Sequence, residues 1–250
     1  MDCFTIQIKK SADMDGPITD EDVIEKVSSY DIRKLEPYPE CGGHLTRAAV
    51  LLPLTIRNGE VFILLTKRSD KLRRHPSAVS FPGGLRDNSD SSDIVTALRE
   101  AEEEIGLLSS NVRVIAVLTL GFTYPNTAVY PVVGLIPSDF VPVPNPAEVE
   151  FAFFMSLKLF LDENHVSYST YNVLGRTVLS RSLTYCDGKR LANVWGFTAN
   201  YCTFIAKVIY NHNEFLSVFD DVEEETKPKK LDAGLVDYFN YASETLKAKL

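Results

Sequence analysis

The sequence lacks the features that place a chain in a membrane, in a secretory pathway or at a metal–thiolate centre. It has no run of about 18 consecutive apolar residues, so we expect no transmembrane helix. Its beginning, MDCFTIQIKKSADMDGP, mixes polar and apolar residues and shows no signal-peptide pattern. The four cysteines stand far apart without CxxC spacing, which predicts reduced structural thiols in an intracellular protein.

Positive charge is scarce as well. The chain has 26 lysines and arginines against 34 aspartates and glutamates, for a formal net charge of -8. This balance argues against nucleic acid or an anionic membrane as the main partner. An anionic substrate would therefore have to meet local positive charge or a bound metal ion. With 250 residues, 45% of them hydrophobic, the chain can form one well-cored domain with extensions or two small domains.

The apolar patterns predict a fold of the α/β (α+β) class, with a mixed β-sheet sandwiched between helices. A hairpin with an RNGE turn is predicted from TRAAVLLPLTI and VFILLTKR, and further strands from VRVIAVLTL, TAVYPVVGLI and VEFAFFMSL. GFTANYCTFIAKVIYN predicts a helix. We divide the chain into an N-terminal extension over 1–45, a main domain over 46–220 and a tail over 221–250. The extension contains a short helix capped by Thr19, and the tail contains a linker and a last helix over 231–247.

A second helix is predicted over residues 92–105, with a cap at Ser92 or Asp93 and an end at Gly106. At about 100° per residue, one face of this helix carries the apolar residues that should anchor it to the core. These are Ile94, Leu98, Ala101 and Ile105.

The same helix is unusually acidic. Three glutamates at positions i, i+3 and i+4 share a second face: Glu100, Glu103 and Glu104. Glu102 points away from them. Like charges at this spacing cost roughly 0.2–0.5 kcal/mol per pair, and they lie at the helix end where the dipole disfavours anions. A hard divalent cation such as Mg²⁺ would remove this conflict, so the pattern predicts a metal-binding face. The alternative is an ordinary exposed acidic helix.

The residues around this helix resemble the Nudix box. Gly84 is followed by REAEEEIGL, which agrees with the second half of the pattern G-x5-E-x7-R-E-apolar-x-E-E-x-G-apolar. The first half departs from it, because the loop is one residue longer and Ser91 stands where the lone glutamate would fall. FPGG together with Asp87 and Asp90 is similar to the coenzyme A diphosphatase branch of the Nudix hydrolases. That branch has the longer signature R-x3-G-x3-F-P-G-G. Arg73 and FPGG agree with it, and Ser77 replaces its first glycine.

This resemblance implies hydrolysis of a pyrophosphate with Mg²⁺ or Mn²⁺ as cofactor. It assigns Glu100, Glu103 and Glu104 as metal ligands, with the Gly84 carbonyl as a fourth. Either Glu100 or Glu148 would orient the attacking water, although Glu148 is equally well explained as an extra metal ligand or as a strand cap. Arg99 would orient the acidic cluster. Two further arginines would receive substrate phosphates, or belong to a solvated basic patch: Arg68 and Arg73.

The branch also implies a substrate and a compartment. Coenzyme A or an acyl-CoA ester would give adenosine 3′,5′-bisphosphate and 4′-phosphopantetheine or its acyl form. The sequence ends in Ala248-Lys249-Leu250, which resembles a peroxisomal signal read by an import receptor. We therefore expect the peroxisome, with the cytoplasm as the alternative. Two other functions stay open: a Nudix hydrolase for ADP-ribose or NADH, and a non-catalytic nucleotide-binding Nudix domain.

Overall fold

The computed structural model describes residues 17–35, 45–123, 126–173 and 176–211. Within them are three α-helices: α1 over Asp20–Ser28, α2 over Asp93–Ile105 and α3 over Gly196–Ile209. The strands are β1 Thr46–Arg57, β2 Glu60–Arg68, β3 Val79–Ser80, β4 Gly83–Leu85, β5 Arg113–Val117, β6 Gly121–Thr123, β7 Thr127–Leu135, β8 Val149–Ser156, β9 Val166–Val173, β10 Arg176–Cys186 and β11 Leu191–Trp195. None of α1 to α3 combines the length and the apolar character that crossing a bilayer requires.

The larger of two sheets is built around β1. This strand pairs antiparallel with β2 and β4 and parallel with β7. Beyond them, β2 pairs with β3 and β8, and β7 pairs with β5 and β6. The predicted β1–β2 hairpin is confirmed. Its turn residues Asn58 and Gly59 have φ values of 53° and 74°, the positive values that a two-residue hairpin turn of this kind requires.

Both faces of this sheet are buried. Leu52 and Leu54 of β1 belong to a hydrophobic cluster with α1 and α3, whereas Leu51, which precedes Leu52, belongs to a cluster with α2. Strands covered on both faces read as nearly continuous apolar runs, which explains the composition of VLLPL. The predicted mixed sheet between helices is confirmed, and α2 packs on one of its faces.

The first described segment packs against the rest of the chain. The predicted helix α1 is confirmed, with Thr19 as its N-cap. Val23 and Val27 are fully buried in the cluster that contains α3. Just beyond the helix, the buried Asp31 carboxylate accepts a hydrogen bond from the backbone N–H of Val117 at 3.1 Å. Residues 17–35 therefore share a core with the sheet, while the domain boundaries drawn above remain predictions.

A second, three-stranded antiparallel sheet in the order β11-β10-β9 was not predicted. The sequence of β9, VSYSTYNV, has few apolar residues and so carries a weak strand signal. Of the cysteines, Cys202 is a free buried thiol, as predicted. The prediction was wrong for Cys186, which is disulfide-bonded. The predicted last helix and the terminal tripeptide lie outside the described residues.

Candidate active site

Two glycines of β4, Gly83 and Gly84, pair with β1 and line the candidate site. A side chain on Gly83 would meet the Ala49 carbonyl oxygen at 2.5 Å, and its φ of 155° is one that side-chain-bearing residues rarely adopt. A side chain on Gly84 would meet the Glu100 carboxylate at 2.5 Å. The FPGG motif thus allows the backbone of β4 to approach both β1 and the acidic helix.

Helix α2 presents its carboxylates to this strand. Its N-cap is Ser92 and its C-cap is Gly106 in the left-handed conformation, which confirms the predicted ends. The apolar face buries Ala101 and Ile105. Glu104 is buried on the same side, with only 2% of its surface exposed. Its Oε2 accepts a hydrogen bond from the Gly83 backbone N–H at 3.2 Å.

Three carboxylates converge here. Oxygens of Glu100, Glu104 and Glu148 lie within 4.8 Å of one another. The pKa of Glu104 is raised to about 8, chiefly by burial and in smaller part by the carboxylates of Glu100 and Glu148, against the lowering effect of Arg68. Burial also raises the pKa of Glu100. Such a group of hard oxygen donors with excess negative charge fits a divalent cation such as Mg²⁺ or Mn²⁺.

Glu148 reaches this group because the proline-rich loop before β8 is attached to α2. The backbone N–H groups of Val143 and Asn145 donate to the carbonyl oxygens of Ile105 and Glu104, both at 2.9 Å. These are carbonyls that the end of a helix leaves without partners. The Glu148 carbonyl in turn accepts from the Ser69 backbone N–H at 2.8 Å. Glu148 therefore stands between the helix and the end of β2.

Glu103 does not lie in this group. Its side chain is 53% exposed, and its Oε2 accepts from Arg99 Nη1 at 3.3 Å. The same Nη1 lies 2.9 Å from Glu100 Oε1. Arg99 thus separates Glu103 from the three converging carboxylates. The structure brings together two of the three glutamates predicted as ligands, and adds Glu148 to them.

Asp90, which the sequence singles out only as part of the branch motif, is the hydrogen-bond partner of Arg99. Its carboxylate accepts two hydrogen bonds from Arg99, from Nε at 3.1 Å and from Nη2 at 3.0 Å. It also accepts from the Thr96 hydroxyl at 2.9 Å. The hydrogen bonds from Arg99 lower the pKa of Asp90 to about 2. The absence of the expected glutamate at Ser91 was the available signal that a neighbouring carboxylate acts instead.

The two arginines predicted to receive phosphates occupy different environments. Arg68, at the end of β2, places Nη1 3.6 Å from Glu104 Oε1. Its Nε is buried and has no hydrogen-bond partner within the described part of the chain, so it has a free donor beside the carboxylates. Arg73 is exposed in the loop between β2 and β3. An exposed cation at that position is available to an anion from solvent.

The loop that carries Arg73 is strained on both sides of Pro76. His75 and Ser77 have φ values of 48° and 59°, a region that favours glycine. This gives a physical reason for the glycine that the family signature has at the position of Ser77.

We expect Ser77→Gly to stabilise the protein by about 0.5–1 kcal/mol. Glycine removes the strain of the left-handed φ in the folded state, and this gain is larger than the stability lost because glycine raises the conformational entropy of the unfolded chain. Chemical denaturation of both proteins measures the difference. Ser91→Gly is the matched control, since Ser91 is exposed and does not have a positive φ, and there glycine should destabilise by about 0.5 kcal/mol. Equal effects of both substitutions would contradict the strain argument.

Comparison with known proteins shows which family the chain resembles. A sequence model of the NUDIX domain matches residues 45–171. Peroxisomal coenzyme A diphosphatase NUDT7 of Mus musculus is 35% identical over 179 residues, which cover 70% of this chain and 75% of that protein. Mitochondrial Nudix hydrolase 15 of Arabidopsis thaliana is 38% identical over 167 residues, or 66% of this chain and 59% of that protein. A solved MutT/nudix family protein from Enterococcus faecalis is 14% identical, with a TM-score of 0.42 over 75% of this chain and 68% of that chain.

The chain belongs to the Nudix family and is an enzyme of the Nudix hydrolase class. The resemblance seen in the box residues is therefore confirmed, and so is the likeness to the coenzyme A diphosphatase branch, whose name the mouse relative carries. Enzymes of this class act on small molecules and generally use divalent metal ions, and the three converging carboxylates form an acidic cluster of the kind that can hold such an ion.

Proposed function

We propose that this protein hydrolyses the pyrophosphate bond of coenzyme A and acyl-CoA esters in a metal-dependent reaction. The observation that carries the proposal is the convergence of Glu100, Glu104 and Glu148 within 4.8 Å, beside the two glycines of β4 and the unpaired donor of Arg68. The products would be adenosine 3′,5′-bisphosphate and 4′-phosphopantetheine or its acyl form.

In this proposal Glu100, Glu104 and Glu148 hold the cation, and the Gly84 carbonyl is a further ligand candidate. A bound Mg²⁺ or Mn²⁺ would neutralise phosphate charge and lower the pKa of a water molecule. The assignment of Glu103 as a ligand stays a prediction. It would require the Glu103 side chain to leave Arg99 Nη1.

Positioning and charge stabilisation dominate the catalysis of phosphoryl transfer. In this proposal the Arg68 guanidinium donates a hydrogen bond to a phosphate oxygen beside Glu104, and Arg73 meets a second phosphate from the solvent side. Either Glu100 or Glu148 accepts the proton of the attacking water. A P–O bond to water forms as the P–O bond of the anhydride bridge breaks, and the departing phosphate carries the negative charge.

The coenzyme A substrate is supported by the sequence motifs and by the mouse relative, which is named a coenzyme A diphosphatase. Hydrolysis occurs at the pyrophosphate, so it does not require a free thiol. Acyl-CoA esters therefore belong to the proposed substrates.

The test is product analysis by liquid chromatography and mass spectrometry with Mg²⁺ or Mn²⁺ present. Coenzyme A, ADP-ribose and NADH are compared at equal concentration. We expect the highest kcat/KM with coenzyme A and the appearance of adenosine 3′,5′-bisphosphate. Faster hydrolysis of ADP-ribose or NADH would reject the substrate assignment, and binding of all three without products would indicate a non-catalytic domain.

We also propose that the protein resides in the peroxisome, as the name of the mouse relative states for that protein. A fluorescent protein fused to the N-terminus should co-localise with a peroxisomal marker. Deletion of Leu250 should move the signal to the cytoplasm, because it truncates the tripeptide that an import receptor would read. Cytoplasmic fluorescence of both fusions would contradict the proposal.

A further inference from the structure

The loop between β4 and α2 is closed on itself by Asp87 and Asp90. The Asp90 backbone N–H donates to the Asp87 carbonyl at 3.1 Å, and the Asp87 backbone N–H donates to Asp90 Oδ2 at 2.9 Å. Arg86 Nη2 donates to the Asp90 carbonyl at 3.1 Å. The extra residue of this loop is thereby absorbed in a turn, and Ser91 is left exposed.

The Asp90 side chain points inward from this turn. Only 2% of it is exposed, and both of its oxygens pair with the Arg99 guanidinium in a two-pronged arrangement. Pairing of this kind fixes the plane of a guanidinium as well as its position. The Thr96 hydroxyl, donating at 2.9 Å, ties the same carboxylate to the first turns of α2.

The remaining donors of Arg99 reach Glu100 of the candidate metal site, the backbone of β4 and the exposed Glu103. Nη1 lies 2.9 Å from Glu100 Oε1, and Nη2 donates to the Leu85 carbonyl at 3.2 Å. Leu85 follows Gly84, whose backbone lies against the Glu100 carboxylate. One guanidinium thus links a carboxylate of the site to the strand that packs on it, and Asp90 sets the orientation of that guanidinium.

We propose that Asp90 is a positioning residue that acts through Arg99 on Glu100. Its carboxylate, one residue before Ser91, supplies the negative charge that this chain lacks at the position of the lone box glutamate. The inference deepens the proposed function, since Glu100 is one of the carboxylates assigned to the cation. Asp90 itself contacts neither substrate nor cation in this assignment.

Asp90→Asn tests the proposal, because it removes the charge and keeps the shape. We expect the Kd for Mn²⁺, measured by calorimetry on the full chain without substrate, to rise about 10–100-fold, and kcat to fall by a similar factor. KM for coenzyme A should change less than about 3-fold, because Arg68 and Arg73 are untouched. The matched control is Asp87→Asn in the same turn. Within the described residues the Asp87 carboxylate accepts from the backbone N–H and the hydroxyl of Ser89, so this substitution should leave both quantities within about 2-fold.

A purely structural role for Asp90 makes a different prediction. Asp90→Asn would then lower Tm but leave the Kd for Mn²⁺ of the folded protein at the wild-type value, and this result would overturn the proposal. Asp90→Glu keeps the charge and should recover part of the lost affinity. If Asp90→Asn does not fold, Arg99→Lys tests the same link, because it keeps the positive charge and loses the two-pronged pairing.

A double-mutant cycle tests the route through Arg99. In an Arg99→Met background, Asp90→Asn should have little further effect on the Kd for Mn²⁺, whereas an undiminished effect would reject the route. A wild-type protein that binds Mn²⁺ but does not hydrolyse coenzyme A would reject the proposed substrate and leave the Mn²⁺ comparison valid. A wild-type protein that binds no Mn²⁺ would reject both proposals.

Discussion

Replacement of Glu104 with glutamine is expected to lower kcat for coenzyme A hydrolysis on the order of 10³-fold, equivalent to about 4 kcal/mol of lost transition-state stabilisation. Glu104 is the most buried of the three converging carboxylates, and the amide that replaces it carries no charge for the cation. Initial rates at saturating Mg²⁺ measure the loss. Glu102→Gln, an exposed change on the same helix, should leave kcat within about 2-fold.

Two further glutamine variants separate the alternative ligand sets. Glu148→Gln should weaken Mn²⁺ binding more than Glu103→Gln, because the Glu103 carboxylate is exposed and bonded to Arg99. The reverse order would support the assignment made from the box pattern. Wild-type kcat in Glu104→Gln would contradict both sets.

The stability of the metal-free protein is expected to fall as pH rises from about 5 to 8. Burial raises the pKa of Glu104 from 4.5 to about 8, so over this interval the folded state binds a proton that the unfolded state has released. Stability then decreases with pH, because the slope follows the protons bound by the unfolded state minus those bound by the folded state. Glu100, whose pKa burial also raises, acts in the same direction.

Urea denaturation in EDTA at several pH values measures this effect. Glu104→Gln cannot titrate at that position. The free energy of unfolding of the variant minus that of the wild type should therefore increase by a few kcal/mol, to order of magnitude, between about pH 5 and pH 8. Mn²⁺ at pH 8 should stabilise the wild type and not the variant, because only the wild type binds the ion tightly. Parallel pH profiles of the two proteins would show that the Glu104 carboxylate is not desolvated in solution.

Local patterns predicted most of the large sheet and all three described helices. The ends of α2 were predictable from Ser92 and Gly106, because an N-cap side chain and a left-handed C-cap glycine each interact only with the adjacent turn of the helix. The β1–β2 hairpin followed from Asn58 and Gly59 for the same reason. The three-stranded sheet was missed, since β9 has a polar sequence and its pairing with β10 depends on contacts with the rest of the chain.

In the candidate site, too, some positions follow from local sequence and others depend on tertiary contacts. Glu100 and Glu104 lie on one helix, so a fixed period of 3.6 residues places them together before any tertiary contact exists. Glu148 joins them only because a loop 40 residues further on donates backbone hydrogen bonds to the end of α2. Asp90 faces Arg99 only because the longer loop turns back at Asp87.

The sequence by itself thus determined the family, the acidic helix and the glycines that let a strand approach it, because these depend on neighbours along the chain. Only the tertiary structure decided which third carboxylate completes the group, that Glu103 is bonded to Arg99 outside it, and which aspartate orients Arg99. Those outcomes depend on distances between segments that are remote in sequence, and they are set by how the loops close onto the packed core.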